Sequence, residues 1–170
     1  MSDHSLNRGF KPFLRWAGGK NWLIKYLPDL IKDLDFNNYH EPFFGGGSVF
    51  FALSPDEAIL SDINEELINA YVEVRDNVES VIEIIDGWDV NEDQYYAIRS
   101  EEPDDAIQRA ARFIYLNRTS FNGIIESTVK VNITCLTGKM TTIDLIFNEF
   151  VMRVRPFRGQ SYSRVPLRSR

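Results

Sequence analysis

The sequence predicts an α/β fold built around a βαβ unit of the nucleotide-binding type. Three observations predict it: a glycine-rich turn at Gly45–Gly47 after a short apolar segment, a helical apolar pattern after the turn, and a second apolar segment that ends in Asp62. The order of strand, glycine loop, helix, strand and acid is typical of nucleotide-binding βαβ units. With 170 residues, of which 44% are hydrophobic, the chain can bury one core, so one domain is the default expectation.

The elements are predicted in chain order from hydrophobic spacing and from start and stop signals. A helix over Asn21–Leu34 follows a glycine pair, because leucines and isoleucines recur there at helical spacing. A strand over Tyr39–Phe44 runs into the glycines, and a helix then begins with Ser48 as its cap. The remaining predicted elements are a strand at Ala58–Asp62 and helices at Glu65–Val74, Val78–Ile85 and Asp104–Leu116.

The charge is unevenly distributed along the chain. Its formal net value is −6, which argues against a broad basic surface for DNA phosphates but leaves room for a local basic groove. Residues 1–125 carry 11 Lys and Arg against 22 Asp and Glu, whereas residues 126–170 carry 8 against 3. The net charge of the chain therefore changes from negative to positive near Glu126.

Several classes of protein are excluded by composition. No apolar run approaches the roughly twenty residues that span a bilayer, and the N-terminus lacks the basic and then apolar layout of a signal peptide. We therefore expect a cytoplasmic protein without a membrane partner. The single cysteine, Cys135, has only His4 and His40 as possible soft-ligand company, so neither a metal site nor a thiol nucleophile is expected.

Two segments carry a resemblance to a known family. Residues 13–20 read FLRWAGGK, and residues 41–48 read EPFFGGGS. Together they resemble the cofactor-binding half of the Dam-like (D12 class) DNA adenine-N6 methyltransferases. The resemblance implies a Rossmann-like S-adenosylmethionine-dependent methyltransferase fold, incomplete here, with the start of a helical target-recognition region. It also implies S-adenosyl-L-methionine as the cofactor and double-stranded DNA as the substrate.

Both the residues and the resemblance predict a cofactor site around the glycines. Glycines at a strand end permit positive φ and leave backbone accessible to a ligand. A carboxylate at the tip of the next strand can accept hydrogen bonds from both ribose hydroxyls. A plain tight turn is the alternative. Without the whole motif, Trp16 would belong to the core and Lys20 to a solvated helix start. The resemblance assigns cofactor contacts to Trp16, Lys20, Glu41, Pro42, Phe43, Gly45 and Gly47, and the ribose contact to Asp62.

A third segment resembles the signature that introduces the family's target-recognition region. Residues 117–123 read NRTSFNG. The resemblance implies that Arg118 contacts a phosphate and that Phe121, next to Asn122, wedges into the duplex as the target adenine leaves the stack. It also places Arg15 at a basic position that faces DNA. The alternative is a helix C-terminus with Asn122 in its turn and Phe121 in the core.

The resemblance is expected to cover roughly residues 10–125. We accordingly divide the chain into a cofactor-binding part (1–86), the start of the target-recognition region (87–125) and a non-family tail (126–170). Codons compatible with residues 126–138, regrouped from the third base of the first, encode Val-Asn-Arg-Gln-Gly-Glu-Tyr-Asn-Val-Pro-Tyr-Gly, which matches the loop that the family carries there. The tail is therefore interpreted as out-of-frame translation. The competing interpretation is an evolved basic arm that contacts nucleic acid.

The family's catalytic tetrapeptide, Asp-Pro-Pro-Tyr, does not occur in the sequence. We assign no catalytic residue and expect an adenine-specific DNA methyltransferase by resemblance, with no activity and weak cofactor affinity in this form. One alternative is a non-catalytic module that binds cofactor or DNA and modulates an intact methylase. Another is an unrelated nucleotide-binding protein whose loops mimic the family.

Overall fold

The structure is a computed structural model that describes residues 12–31, 39–55 and 58–120. Predictions for residues 121–170, including Phe121, Asn122 and the out-of-frame tail, lie outside the described residues. The described residues form two compact units. The first contains residues 12, 18–31, 39–55 and 58–64, and the second contains residues 13–17 and 65–120. The functional boundaries expected at residues 86 and 125 stay predictions.

The first unit contains the expected βαβ arrangement. Strand β1 (Tyr39–Glu41) pairs in parallel with strand β2 (Ala58–Leu60), in a register that sets Tyr39 opposite Ala58 and Glu41 opposite Leu60. Both strands are shorter than predicted. Pro42 directly follows β1, and proline has no N–H with which to continue a ladder.

The helix predicted over Asn21–Leu34 is wrong as a single element. The structure has helix α1 (Asn21–Ile24) and a separate helix α2 (Leu27–Ile31). Pro28 explains the break, since its ring has no N–H to donate to the carbonyl of Ile24 and would clash with that carbonyl in a continuous helix. The apolar spacing was correctly recognised, but proline overrides it.

Helix α3 (Ser48–Leu53) connects the two strands, but Ser48 is not its cap. Gly47 occupies the cap position with φ of 72°, and its carbonyl accepts the first helical hydrogen bond from Phe51 N–H at 2.9 Å. Ser48 is instead the first helical residue. A buried cluster forms where α3 packs against the paired helices; it contains Leu27, Val49 and Ala52, flanked by Leu23, Ile24, Tyr39 and Leu53.

The second unit is helical in its described part. Its elements are α4 (Glu65–Asp76), α5 (Val78–Asp86), α6 (Glu92–Ser100) and α7 (Ala106–Thr119). Three of these match the predicted helices within a few residues. Helix α6 was not predicted, although Asn91 caps it by accepting a hydrogen bond from Gln94 N–H at 2.8 Å.

Helix α7 is central to this unit because α4, α5 and α6 all pack against it. Two short side chains, Ala110 and Ala111, are completely buried on it and allow close approach of its neighbours. Its first turn is capped by Asp105, which accepts from Gln108 N–H at 2.9 Å. None of the helices in the described ranges is long and apolar enough to cross a membrane.

Candidate functional site

The glycine turn of the first unit lies at the carboxyl ends of both strands. Beyond the assigned strands the pairing continues, since Ser61 N–H donates to the Glu41 carbonyl and Phe44 N–H donates to the Ser61 carbonyl, each at 3.0 Å. Gly45 and Gly47 have φ values of 55° and 72°, as their expected role requires. The turn is therefore held next to the segment that carries Asp62.

Asp62 secures this turn with both oxygens of its carboxylate. Oδ2 accepts the backbone N–H of Gly45 at 2.8 Å, and Oδ1 accepts the N–H of Asn64 at 3.0 Å. Each carboxylate oxygen has a further lone pair and can accept a second hydrogen bond. The residue is partly exposed, so its carboxylate can hold the turn and still accept a hydrogen bond from a ligand hydroxyl.

Gly47 is required by packing as well as by its backbone conformation. A Cβ atom at this position would lie 2.7 Å from the ring of Phe44 and 3.0 Å from that of Phe51. Phe44 is buried and packs edge-on against Phe50, with ring centroids 5.9 Å apart. The turn thus rests directly on an aromatic core.

Lys20 and Glu41 form a polar network on the other side of the turn. The ammonium nitrogen of Lys20 donates to the Phe43 carbonyl at 2.7 Å and lies 3.2 Å from Glu41 Oε1. Glu41 is buried, and its Oε2 accepts from the Tyr39 hydroxyl at 2.8 Å. Oε1 has this ion pair but no hydrogen-bond donor among the described residues. Lys20 therefore contacts both ends of the Glu41–Phe43 segment and stabilises it.

Tyr39 was missed by sequence reasoning. Burial, together with the neighbouring Glu41 carboxylate, raises the pKa of Tyr39 well above its ordinary value, so its hydroxyl stays a hydrogen-bond donor at neutral pH. The period-two alternation of β1 places Tyr39 and Glu41 on one face, and this was the available signal.

Two apolar side chains beside the turn are highly exposed. Phe43 is 80% exposed and Ile63 is 79% exposed, and Pro42, which directly precedes Phe43, is exposed too. Ile63 was also missed by sequence reasoning, although an isoleucine directly after a strand-end acid, outside any helical pattern, could have suggested it. These side chains offer apolar surface next to the polar groups of the turn.

Three further sequence-predicted residues that the structure describes lie in the second unit. Trp16 is half-buried and packs against Phe113, with ring centroids 6.5 Å apart. Arg15 is exposed, whereas Arg118 donates from Nη1 to the Phe13 carbonyl at 3.2 Å. The first unit thus brings together Lys20, Glu41, Pro42, Phe43, Gly45, Gly47 and Asp62, and the second brings together Arg15, Trp16 and Arg118.

Metal ligation has no support in the part of the chain that the structure describes. Within those residues no group of three or more His, Cys, Asp or Glu side chains could hold an ion. His40 is exposed on β1.

A glycine turn that is held by an acid at the end of a second parallel strand is typical of nucleotide-binding α/β domains. Comparison with known proteins specifies which one. The model of the D12 class N6 adenine-specific DNA methyltransferases matches residues 16–160, and the chain belongs to this family.

Named relatives agree with the family match. A type II methyltransferase of Lactococcus lactis subsp. cremoris is 33% identical over 155 residues, which cover 86% of this chain and 54% of the relative. A DNA adenine methylase of Haemophilus influenzae is 39% identical over 130 residues, covering 71% of this chain and 45% of the relative. A type II methyltransferase of Methanocaldococcus jannaschii is 35% identical over 142 residues, covering 71% and 49%.

These matches also bear on the extent of the resemblance. The chain spans about half the length of the curated relatives it matches. The family match continues to residue 160, beyond residue 125, near which we expected the resemblance to end. The proposed change of reading frame after residue 125 stays a prediction.

Proposed function

We propose that this chain provides the S-adenosyl-L-methionine-binding part of a DNA adenine-N6 methyltransferase. The observation that carries the proposal is the Asp62 carboxylate, which accepts the Gly45 N–H at 2.8 Å and so joins the tip of β2 to the glycine turn after β1. In Rossmann-like folds this edge of the sheet is where a nucleotide-like ligand binds. The described β1–α3–β2 segment would be the first unit of such a fold.

The contacts around the turn support a distinct role for each side chain. Asp62 accepts hydrogen bonds from the ribose hydroxyls, and the backbone of the turn at Gly45 and Gly47 lies against the ligand. Glu41 presents Oε1, a buried acceptor, to the amino group of the methionine part. Phe43 contributes exposed apolar contact surface.

Three further residues complete the proposed cofactor site. Lys20 acts chiefly by holding the Glu41–Phe43 segment, as its two contacts within the protein indicate. Pro42 ends β1 and directs the chain into the turn. Trp16 belongs to the other unit and keeps its proposed cofactor contact by family resemblance alone.

The proposed partner on the second unit is double-stranded DNA. Arg15 is exposed and is suited to contact a phosphate. Arg118, Phe121 and Asn122 keep their proposed DNA contacts by family resemblance, although one guanidinium donor of Arg118 is already bound to the Phe13 carbonyl.

Methyl transfer itself requires more than these residues. Bound S-adenosylmethionine supplies an electrophilic methyl group on a sulfonium sulfur, while adenine N6 is a weak nucleophile because its lone pair is delocalised into the ring. The family's Asp-Pro-Pro-Tyr groups, which hold and orient that amine, do not occur in these 170 residues. We propose that the 170-residue chain by itself binds the cofactor weakly and does not methylate adenine.

Calorimetric titration and a methyl-transfer assay test both halves of this proposal. S-Adenosylmethionine is expected to bind weakly, and at ten times its Kd it should stabilise the chain by about 1.4 kcal/mol. No tritiated methyl group should appear on duplex adenine. The absence of binding at any accessible concentration would contradict the cofactor site, and tritium transfer would contradict the proposed inactivity.

The non-catalytic modulator is not favoured as a second function. The relatives described above are named as methyltransferases or methylases, and none of those names describes a modulator.

A further inference from the structure

Asn117 binds both backbone groups of Arg15. Its side-chain oxygen Oδ1 accepts the Arg15 N–H at 2.9 Å, and its Nδ2 donates to the Arg15 carbonyl at 2.8 Å. Asn117 is completely buried in the last turns of α7. One amide side chain thus satisfies a donor and an acceptor of the main chain, as a neighbouring β-strand would.

The residues around Arg15 are anchored as well. Arg118 donates to the Phe13 carbonyl, and the Phe13 ring packs edge-on against Tyr71 with centroids 4.7 Å apart. Trp16 packs against Phe113 on the other side. Three hydrogen bonds and two ring contacts therefore hold the segment from Phe13 to Trp16, while the side chain of Arg15 remains exposed.

In this arrangement the buried amide of Asn117 and the exposed guanidinium of Arg15 have different roles. Asn117 has no exposed surface with which to touch a large ligand, whereas Arg15 is exposed and charged on an anchored backbone. A cation whose backbone is already ordered loses less conformational freedom when it meets a phosphate.

We propose that Asn117 is a positioning residue for DNA binding, which acts by fixing the backbone of Arg15 so that this guanidinium meets a phosphate of duplex DNA. The inference rests on the proposed function, since it requires that the chain binds DNA through Arg15. It adds that the buried Asn117 contributes to affinity without touching DNA.

A double-mutant cycle on the full 170-residue chain tests the coupling. The variants are Arg15→Gln, Asn117→Leu and the combination, with affinity for a fluorescent duplex measured by anisotropy across a salt series. Arg15→Gln and Asn117→Leu should each weaken binding several-fold and each lower the salt slope by about 1. The combination should bind no more weakly than Arg15→Gln alone.

Asn69→Leu is the control for loss of another side-chain amide contact, one that is partly buried. Asn69 donates to the Ala106 carbonyl at 2.9 Å within the same unit and does not hold Arg15. It should lower thermal stability without changing the salt slope. A change of slope in this control equal to that of Asn117→Leu would overturn the inference, because any loss of stability would then suffice.

Hydrogen exchange on the unmutated chain provides a test that needs no folded variant. The Arg15 amide hydrogen is expected to exchange slowly, because it is bonded to a completely buried side chain. Exchange as fast as that of exposed amides overturns the inference. So do additive losses in the double-mutant cycle. If the unmutated chain does not bind duplex DNA at all, the proposed DNA contact fails first and the inference falls with it.

Discussion

The ammonium nitrogen of Lys20 lies 3.2 Å from Glu41 Oε1, although 21 positions separate the two residues in the chain. Lys20 also donates to the carbonyl of Phe43, so one cation stabilises the segment that leads from β1 into the glycine turn. The carboxylate it meets is buried, and removing a partner from a buried charge costs more than an exposed ion pair gains.

Replacing Lys20 should therefore weaken the first unit. For Lys20→Met we expect a fall in the free energy of unfolding of about 1–3 kcal/mol, because the buried Glu41 carboxylate loses its ion pair and the Phe43 carbonyl loses its donor. Lys25→Met is the control, as Lys25 is exposed beside the Tyr26 ring and should change stability by less than about 0.5 kcal/mol. Chemical denaturation measures both, and equal losses would contradict the role of Lys20.

Replacing Asp62 should affect both stability and cofactor binding. In Asp62→Asn a single carbonyl oxygen cannot serve both the Gly45 and Asn64 amides, so one N–H then faces an NH₂ group. We expect a stability loss of about 1–3 kcal/mol and weaker binding of S-adenosylmethionine in calorimetry. Asp86→Asn makes the same chemical change at an exposed position at the end of α5 and should alter neither. Unchanged cofactor affinity in Asp62→Asn would remove Asp62 from the site.

Two glycines with the same backbone conformation separate strain from packing. Gly18 and Gly47 both have φ of 72°, but a Cβ at Gly18 would meet nothing within 4 Å, whereas at Gly47 it would meet the Phe44 ring. Gly18→Ala should cost about 1–2 kcal/mol from the left-handed backbone alone. Gly47→Ala should cost about 1–3 kcal/mol more, because the aromatic core must shift. Thermal unfolding of the two variants should therefore differ clearly. Similar losses of stability would show that the Phe44 ring can move aside at little cost.

Stability should fall at alkaline pH. Burial raises the pKa of Tyr115 to about 12 from its ordinary value of 10.0, and its hydroxyl donates to the Asp89 carbonyl at 2.7 Å. The folded state thus favours the protonated hydroxyl. This contribution is complete below pH 10 and is lost as pH rises from 10 to 12. Unfolding followed at several pH values should show the fall. In Tyr115→Phe stability should be lower at neutral pH and its alkaline decline smaller, and an identical decline would assign the effect to other groups.

The reading frame after residue 125 can be tested on the gene. We expect nucleotides in the minus-one frame to encode Asn-Val-Pro-Tyr and, farther on, Asp-Pro-Pro-Tyr. A gene without these codons in that frame would favour the basic-arm interpretation. The family match extends through residue 160 and so includes residues that the hypothesis treats as out of frame. The gene sequence decides between the two interpretations.

Local patterns predicted much of the fold. The helices at Glu65–Asp76 and Val78–Asp86 follow directly from their apolar spacing, and Gly45 and Gly47 have the positive φ values that their position suggested. Periodicity failed where one residue opposes it, as Pro28 does between α1 and α2. It also failed at α6, where the cap at Asn91 was a clearer signal than the apolar pattern.

The sequence by itself determined the family and the residues that form the glycine turn, because those motifs depend on residues close together in the chain. Only the tertiary structure showed which side chains contact segments that are distant in the chain. It showed that Lys20 holds the segment after β1 and that Asn117 binds the backbone of Arg15. Such pairings depend on which elements meet in space and on which polar groups are buried there, and no pattern within a single segment encodes them.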